Sequence, residues 1–231
     1  MNIIKGQTEL AEQKLGEKHE ASNDLKHVRT QVDQLTQMLD EIMNLSKLQM
    51  GTLVNSPEAV EWNSFFKRVF AMFDGLARKK QLDFRFEVVP NEPTLVSLDI
   101  KKVERILINL IGNAIKFTPE VGRILVRSVF VEKSIMIEIT DNGPGIDIEE
   151  QKTIFERYQQ GQASGNAAQP GYGIGLALCK EYTELIDGKL WVESTLGKGS
   201  SFFLEIPFHE VSEKDLPKEG LQNAKEDFDS S

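Results

Sequence analysis

A single cysteine, Cys179, stands in 231 residues. An internal disulfide and a thiolate metal cluster are excluded at once. Histidine is nearly as scarce, confined to His19, His27 and His209. No apolar run nears the ~20 residues that cross a bilayer, and the N-terminus lacks the pattern of a secretory leader. Positive charge is in deficit, with 27 Lys and Arg against 36 Asp and Glu and a net charge of −9. That balance argues against non-specific binding of nucleic acid or an anionic membrane. Two familiar phosphate loops are also missing. Gly188-Lys189 and Gly197-Lys198 are followed by neither Ser nor Thr, as a P-loop requires. The run Gly171-Tyr172-Gly173-Ile174-Gly175-Leu176 is not the dinucleotide fingerprint, because no strand leads into it and the third glycine would fall on Leu176. What remains has the composition of an ordinary globular protein, expected in the cytoplasm.

Its most informative stretch is residues 99–119, DIKKVERILINLIGNAIKFTP. Val103, Ile106, Leu107, Leu110, Ile111 and Ala114 recur at three and four, which predicts a helix with one buried stripe. Asn109 and Asn113 lie four apart and share a face. Asparagine is a poor interior helix residue because its amide competes for backbone hydrogen bonds. Two of them on one face, followed by Lys116, point to a polar ligand. An amide oxygen suits a hard cation such as Mg²⁺, and a lysine suits a phosphate. Two amides closing a neighbouring loop would give the same pattern.

Elsewhere the chain divides into an N-terminal helical part, residues 1–50, a mixed part, 51–208, and an acidic polar tail, 209–231. In the first, residues 1–15 and a stretch opened by Ser22 or Asp24 read as two helices. On the second, Leu25, Val28, Val32, Leu35, Leu39 and Ile42 form an a/d seam over about three heptads. A hairpin this narrow predicts pairing with a second copy in a four-helix bundle; packing on its own domain is the alternative. In the second part, residues 65–77 predict a helix, and Leu82, Phe84, Phe86 and Val88 alternate as a strand. Strands follow at 94–98, 124–131, 135–140, 190–194 and 202–207, with helices at 148–155 and 173–186. Residues 159–170 are polar and aperiodic, which predicts a mobile segment. Without strict βαβ alternation, this is an α+β fold: a two-layer sandwich with helices on one face of a sheet.

Two loops carry further chemistry. Asp141-Asn142-Gly143-Pro144-Gly145-Ile146 directly follows a strand, and its glycines let backbone approach a ligand. A carboxylate at that strand end suits the exocyclic amine of adenine and would repel the oxygen of guanine. A simple turn remains the other reading. The run 171–176 opens a helix whose N–H groups and dipole suit phosphate. Phe155-Glu156-Arg157-Tyr158 precedes the aperiodic segment, as a hydrophobic anchor precedes a nucleotide lid.

Residues 109–119, 141–146, 155–158 and 171–176 resemble, in order and spacing, the N, G1, F and G2 boxes of the sensor histidine kinases. Gly197-Lys198-Gly199-Ser200-Ser201-Phe202 is similar to that family's last glycine turn. The resemblance implies the Bergerat (GHKL) ATP-binding fold, with Mg²⁺-ATP as phosphoryl donor and a histidine as acceptor. It implies that Asn113 supplies the metal's amide oxygen and that Asn109 and Lys116 lie by the phosphates as catalytic groups. Phe117 would flank the base, and Asp141 would read the adenine amine within the Gly143, Gly145 and Ile146 loop. Gly171, Gly173, Ile174, Gly175 and Leu176 would form the phosphate turn. ATPases that share this fold carry a Glu at the position of Asn109 to activate water; an amide cannot take a proton, so intrinsic hydrolysis should be slow.

Two departures qualify the resemblance. Gln160 replaces the lid arginine of many members, as in the hybrid subgroup fused to receiver domains. The family's acceptor motif, His-Glu-x-Arg-x-Pro, would fall just ahead of Met1, because residues 1–6 resemble only its tail. His19 lies in the inter-helix turn without the flanking Arg and Pro, His27 faces away from the seam, and His209 sits in the tail. The expectation is therefore the dimeric, ATP-binding catalytic part of a hybrid sensor kinase that phosphorylates a histidine outside this chain and serves a response-regulator receiver. An ATP-binding dimeric regulatory module without autokinase activity is the second reading.

Overall fold

The computed structural model describes residues 54–157 and 173–211, together with positions 25, 28, 31, 32, 35, 36, 39 and 43. The chain forms two compact units, Met1–Leu53 and Val54–Ser231. In the first, all eight described positions are helical, and the Thr36 hydroxyl donates to Val32 O at 2.7 Å. Three seam residues are open to solvent in the single chain: Val28 at 45%, Leu35 at 51% and Leu39 at 49% exposure.

The second unit is built on a five-stranded sheet and a smaller one of three. Its elements are β1 (Glu58–Glu61), α1 (Trp62–Ala71), α2 (Asp74–Lys79), β2 (Asp83–Val89), β3 (Leu95–Leu98) and α3 (Ile100–Phe117). They continue as β4 (Arg123–Val131), β5 (Ser134–Asp141), α4 (Ile148–Thr153), α5 (Gly175–Leu185), β6 (Lys189–Thr195), β7 (Gly199–Pro207) and β8 (His209–Glu210). The large sheet runs β2-β4-β5-β7-β6 and the small one β1-β3-β8. Only β2 and β4 pair in parallel; the other pairings are antiparallel. This is the expected α+β sandwich.

The period of two places the core. On β5, Ile135, Ile137 and Ile139 are buried and alternate with half-buried Ser134, Met136, Glu138 and Thr140. β7 answers with Phe202, Leu204 and Ile206, all buried. Against this face pack α3 and α5, whose buried residues include Ile106, Leu107, Leu110, Ala177 and Leu178. The α1 helix adds aromatics: Trp62 Nε1 donates to Ser128 Oγ at 2.8 Å, and Phe70 stacks on Phe84 at 4.0 Å.

Three local features differ from the sequence-based expectation. The helix expected over 65–77 is two, broken at Met72-Phe73, where Phe73 turns inward to 7% exposure beside Gly112. β1 was not legible, because Glu-Ala-Val-Glu offers two apolar residues and becomes a strand only by pairing with β3. β8 adds His209 and Glu210, opposite Ser97 and Val96, to what reads as tail. The α3 helix ends at Phe117 because Thr118, preceding a proline, is driven to extended backbone (φ −67°, ψ 130°).

Candidate nucleotide site

The α3 helix sets the first wall. Its Asp99 N-cap accepts from Lys102 N at 3.2 Å and pairs its carboxylate with the Lys102 ammonium, both side chains being buried. One turn apart on the polar face, Asn113 Nδ2 donates to Asn109 Oδ1 at 3.2 Å. That bond commits the Asn113 nitrogen and leaves its oxygen as acceptor. Further along, the Lys116 ammonium sits 4.8 Å from the Phe117 ring centroid, and Phe117 is 47% exposed. Burial holds the Lys116 ammonium below its usual pKa, an effect that a nearby anion would oppose.

Asp141 occupies the next inward place after Ile135, Ile137 and Ile139, so the strand's own alternation buries a carboxylate to 8% exposure. Burial raises its pKa, opposed by backbone N–H bonds from Gly143 and Ser200; the Gly143 bond is 2.7 Å. Among the described residues no cation forms an ion pair with it. A buried carboxylate with acceptor capacity left over is a site for a neutral donor such as an aromatic amine.

The loop after Asp141 is held from both sides. Asn142 Oδ1 accepts from Arg123 N at 2.7 Å, and Ile146 N donates to Ser194 Oγ at 2.8 Å. Gln151 Nε2 bonds Ile146 O at 2.8 Å and Ser194 O at 3.0 Å, and Gly197 N bonds Pro144 O at 2.6 Å. Gly145 adopts φ 70°, and a Cβ there would overlap Thr195 O, a position no side chain fits. On the other side, a Cβ on Gly143 would lie 3.2 Å from Phe117 O, so this loop touches the end of α3.

The third wall is the start of α5. Its N-cap, Ile174, provides no side-chain hydrogen bond, and the first N–H groups of a helix have no partner within it. Gly175 packs directly on Asn109, whose amide would overlap any Cβ there. Gly173 is half-buried at φ 67°, Ile174 is 1% exposed and Leu176 half-buried. Gly171 lies outside the described residues, as do Gln160 and the aperiodic segment. Contacts thus link Gly175 to Asn109 and Asn109 to Asn113, and Phe117, one turn further along α3, to Gly143 and so to Asp141. Ser194 and Gln151 carried no signal in the sequence; Ser200, beside Asp141 in the sheet register, was marked only by its glycine turn.

Residues 98–210 match the domain family described as histidine kinase-, DNA gyrase B- and HSP90-like ATPase. The isolated catalytic domain of histidine kinase ThkA is 30% identical, with a TM-score of 0.57 over 66% of this chain and 97% of that one. The chain belongs to the ATP-binding catalytic domains of the sensor histidine kinases. Among relatives of this kinase family, the circadian input-output histidine kinase CikA of Thermosynechococcus vestitus is 31% identical over 81% of this chain. The chain spans 26% of the length of CikA. Full-length ShkA in complex with AMPPNP shares the fold, with a TM-score of 0.75 at 23% identity over 90% of this chain and 43% of that one. ThkA in complex with the response regulator TrrA aligns over 89% of this chain and 56% of that one, with a TM-score of 0.65 and 25% identity.

Three places along α3 and the loops it meets carry groups whose chemistry suits a nucleotide. A buried acceptor lies at the Asp141 end. The Asn113 amide oxygen and the Lys116 ammonium lie in the middle. The start of α5, where the N-cap Ile174 makes no side-chain hydrogen bond, lies beyond Asn109. Among the described residues no helix is long and apolar enough to cross a membrane.

Proposed function

We propose that this chain binds Mg²⁺-ATP along the strip from Asp141 to Gly175 and transfers the γ-phosphoryl group to a histidine outside it. The observation that carries this reading is the set of contacts itself. Gly175 meets Asn109, Asn109 is bonded to Asn113, and Phe117, one turn further along α3, meets Gly143, which is bonded to Asp141; these are the residues to which the family resemblance assigns base, metal and phosphates. In transfer, the bond between γ-phosphorus and the bridging oxygen breaks as an imidazole nitrogen takes the phosphoryl group, and ADP leaves.

Within that reading, Asp141 accepts the adenine amine, Gly143, Gly145 and Ile146 shape the base pocket, and Phe117 covers the base. Asn109 and Lys116 orient the phosphates, and N–H groups from 173–176 donate to them; Gly171 belongs to the same turn. Asn113 would hold Mg²⁺ through its amide oxygen. Bound Mg²⁺ would neutralise phosphate charge. Asn109 has no basicity with which to activate water, so most bound ATP waits for an acceptor.

Residues 1–50 act as the dimerising hairpin, 51–208 as the kinase domain extended by β8, and the remainder as an acidic tail. The exposed seam residues Val28, Leu35 and Leu39 support a homodimer, since a second copy would bury them. A receiver domain, in the same chain or another, takes the phosphoryl group onward in the cytoplasm.

Labelled ATP tests the reading. With [γ-³²P]ATP the chain should leave itself unlabelled and label a separately supplied acceptor bundle carrying the family histidine. Label on neither protein despite tight ATP binding favours the regulatory module. Rapid ATP hydrolysis without any acceptor overturns the kinase assignment.

A further inference from the structure

Lys80 lies outside the four boxes, at the C-cap of α2, yet its side chain reaches the end of α3. Its ammonium donates to Ile115 O at 2.7 Å, Lys116 O at 3.0 Å and Thr118 O at 2.6 Å. An ammonium has three N–H bonds to give, and all three go to this one turn. The reason lies in α3. A helix leaves its last carbonyls without partners, and the donor that Ile115 O would meet four residues on belongs to Pro119, which has no N–H. Ala114 O is satisfied by Thr118 N at 2.9 Å; Ile115 O and Lys116 O fall to Lys80. A cation at a helix C-terminus also meets the negative end of its dipole. Backbone bonds fix the lysine in turn: Lys80 N donates to Leu76 O and Val121 N to Lys80 O, each at 3.2 Å.

We propose that Lys80 is a positioning residue for the nucleotide site, holding the last turn of α3 so that Lys116 and Phe117 keep their places. This rests on the nucleotide reading above. Without the ammonium, the turn that carries both side chains loses three hydrogen bonds at once. Lys116 can then no longer be held where it meets phosphate.

The test is a double-mutant cycle on the full chain, reading ATP affinity with a fluorescent ATP analogue. Lys80→Met should weaken binding about tenfold, and Lys80→Arg, which can also donate to several carbonyls, should stay within about threefold of wild type. Lys116→Met should weaken binding strongly in the wild-type background but less than threefold in the Lys80→Met background. A general loss of stability would leave the two effects additive. Additive losses, or unchanged affinity in Lys80→Met, overturn the proposal and leave the nucleotide reading standing. Hydrogen exchange gives an arm that needs no nucleotide: the Thr118 amide should exchange at least tenfold faster in Lys80→Met, while the Ile137 amide of β5 is unchanged. If wild-type chain binds no ATP, the nucleotide reading fails, and this exchange result alone decides whether Lys80 holds the turn. If Lys80→Met does not fold, Lys80→Gln, with two donors on a shorter stem, takes its place in both arms.

Discussion

Asn109 and Gly175 touch so closely that a Cβ on the glycine would overlap the asparagine amide. One residue belongs to the polar face of α3 and the other to the first turn of α5. Their contact joins the amide pair to the start of α5. Gly175→Ala should displace the Asn109 side chain, because the end of a side chain moves more cheaply than backbone. Phosphotransfer to a supplied acceptor should fall at least about tenfold, equivalent to ~1.4 kcal/mol of barrier. Circular dichroism should stay that of wild type. An unchanged rate would mean that Asn109 can work from another rotamer.

Asp141→Asn should separate stability from binding. The folded-state pKa of Asp141 is raised by burial. The stability linked to this group is therefore fully present below the unfolded aspartate pKa and is lost as pH rises through the folded one. Above the folded-state pKa the wild-type protein carries the penalty of a buried charge, which the amide removes. Ligand-free melting temperature should rise, while ATP binding weakens by about 1–3 kcal/mol. Thermal melts with and without ATP check both at once; equal ATP stabilisation in the two proteins would remove Asp141 from the base pocket.

Asn113→Ala should reveal where the metal sits. Because the Asn113 nitrogen is engaged by Asn109, its oxygen is the atom open to a cation. ATP affinity in Mg²⁺ should fall by about tenfold or more, roughly the range for lost ligand-shell partners. Affinity in EDTA should change much less. Titration calorimetry in the two buffers makes the comparison, and equal losses would leave Asn113 a structural residue.

Lys102→Met should be the most destabilising of these substitutions. The Asp99–Lys102 pair is buried, with side-chain exposures of 4% and 8%. It also ties down the start of the unit, through Ser56 N to Asp99 Oδ2 at 2.9 Å and Lys102 Nζ to Val54 O at 2.8 Å. Breaking one side leaves a buried carboxylate unpaired, at a cost of about 3–5 kcal/mol. For Asp99, burial pushes the pKa up, but hydrogen bonds from Lys102 and Ser56 outweigh it and the net shift is downward. The stability it contributes is present above the unfolded aspartate pKa and lost as pH falls through the lowered folded value. Urea unfolding followed at the buried Trp62 should therefore show the mutant weakened at pH 7, with the gap to wild type closing in acid.

Much of the site could be read before any fold was known, because it is built from periodicity. Asn109 and Asn113 share a face in any helix, and Asp141 falls inward in any strand that buries Ile135, Ile137 and Ile139. The glycines of 143–145 announce a loop with backbone close to something. Illegible were the residues whose role depends on a distant neighbour. Lys80 reads as one of three cations in Arg-Lys-Lys, and nothing local shows that it meets carbonyls 35 to 38 residues on. Ser194 reads as a strand residue until Ile146 N arrives, 48 residues away in sequence. β1 and β8 are too short to carry a pattern and exist because β3 lies between them.

By itself the sequence determined α3, α5, the longer strands and the inward or outward sense of their side chains. Those follow from sterics and repeat lengths among residues a few positions apart. The tertiary structure alone decided that β2 runs parallel beside β4, that Lys80 closes α3, and that Gly175 meets Asn109 while Gly143 meets Phe117. Such contacts join segments far apart along the chain. They form only when the helix layer packs on the sheet, where burial of apolar faces holds polar groups at distances that no local pattern encodes.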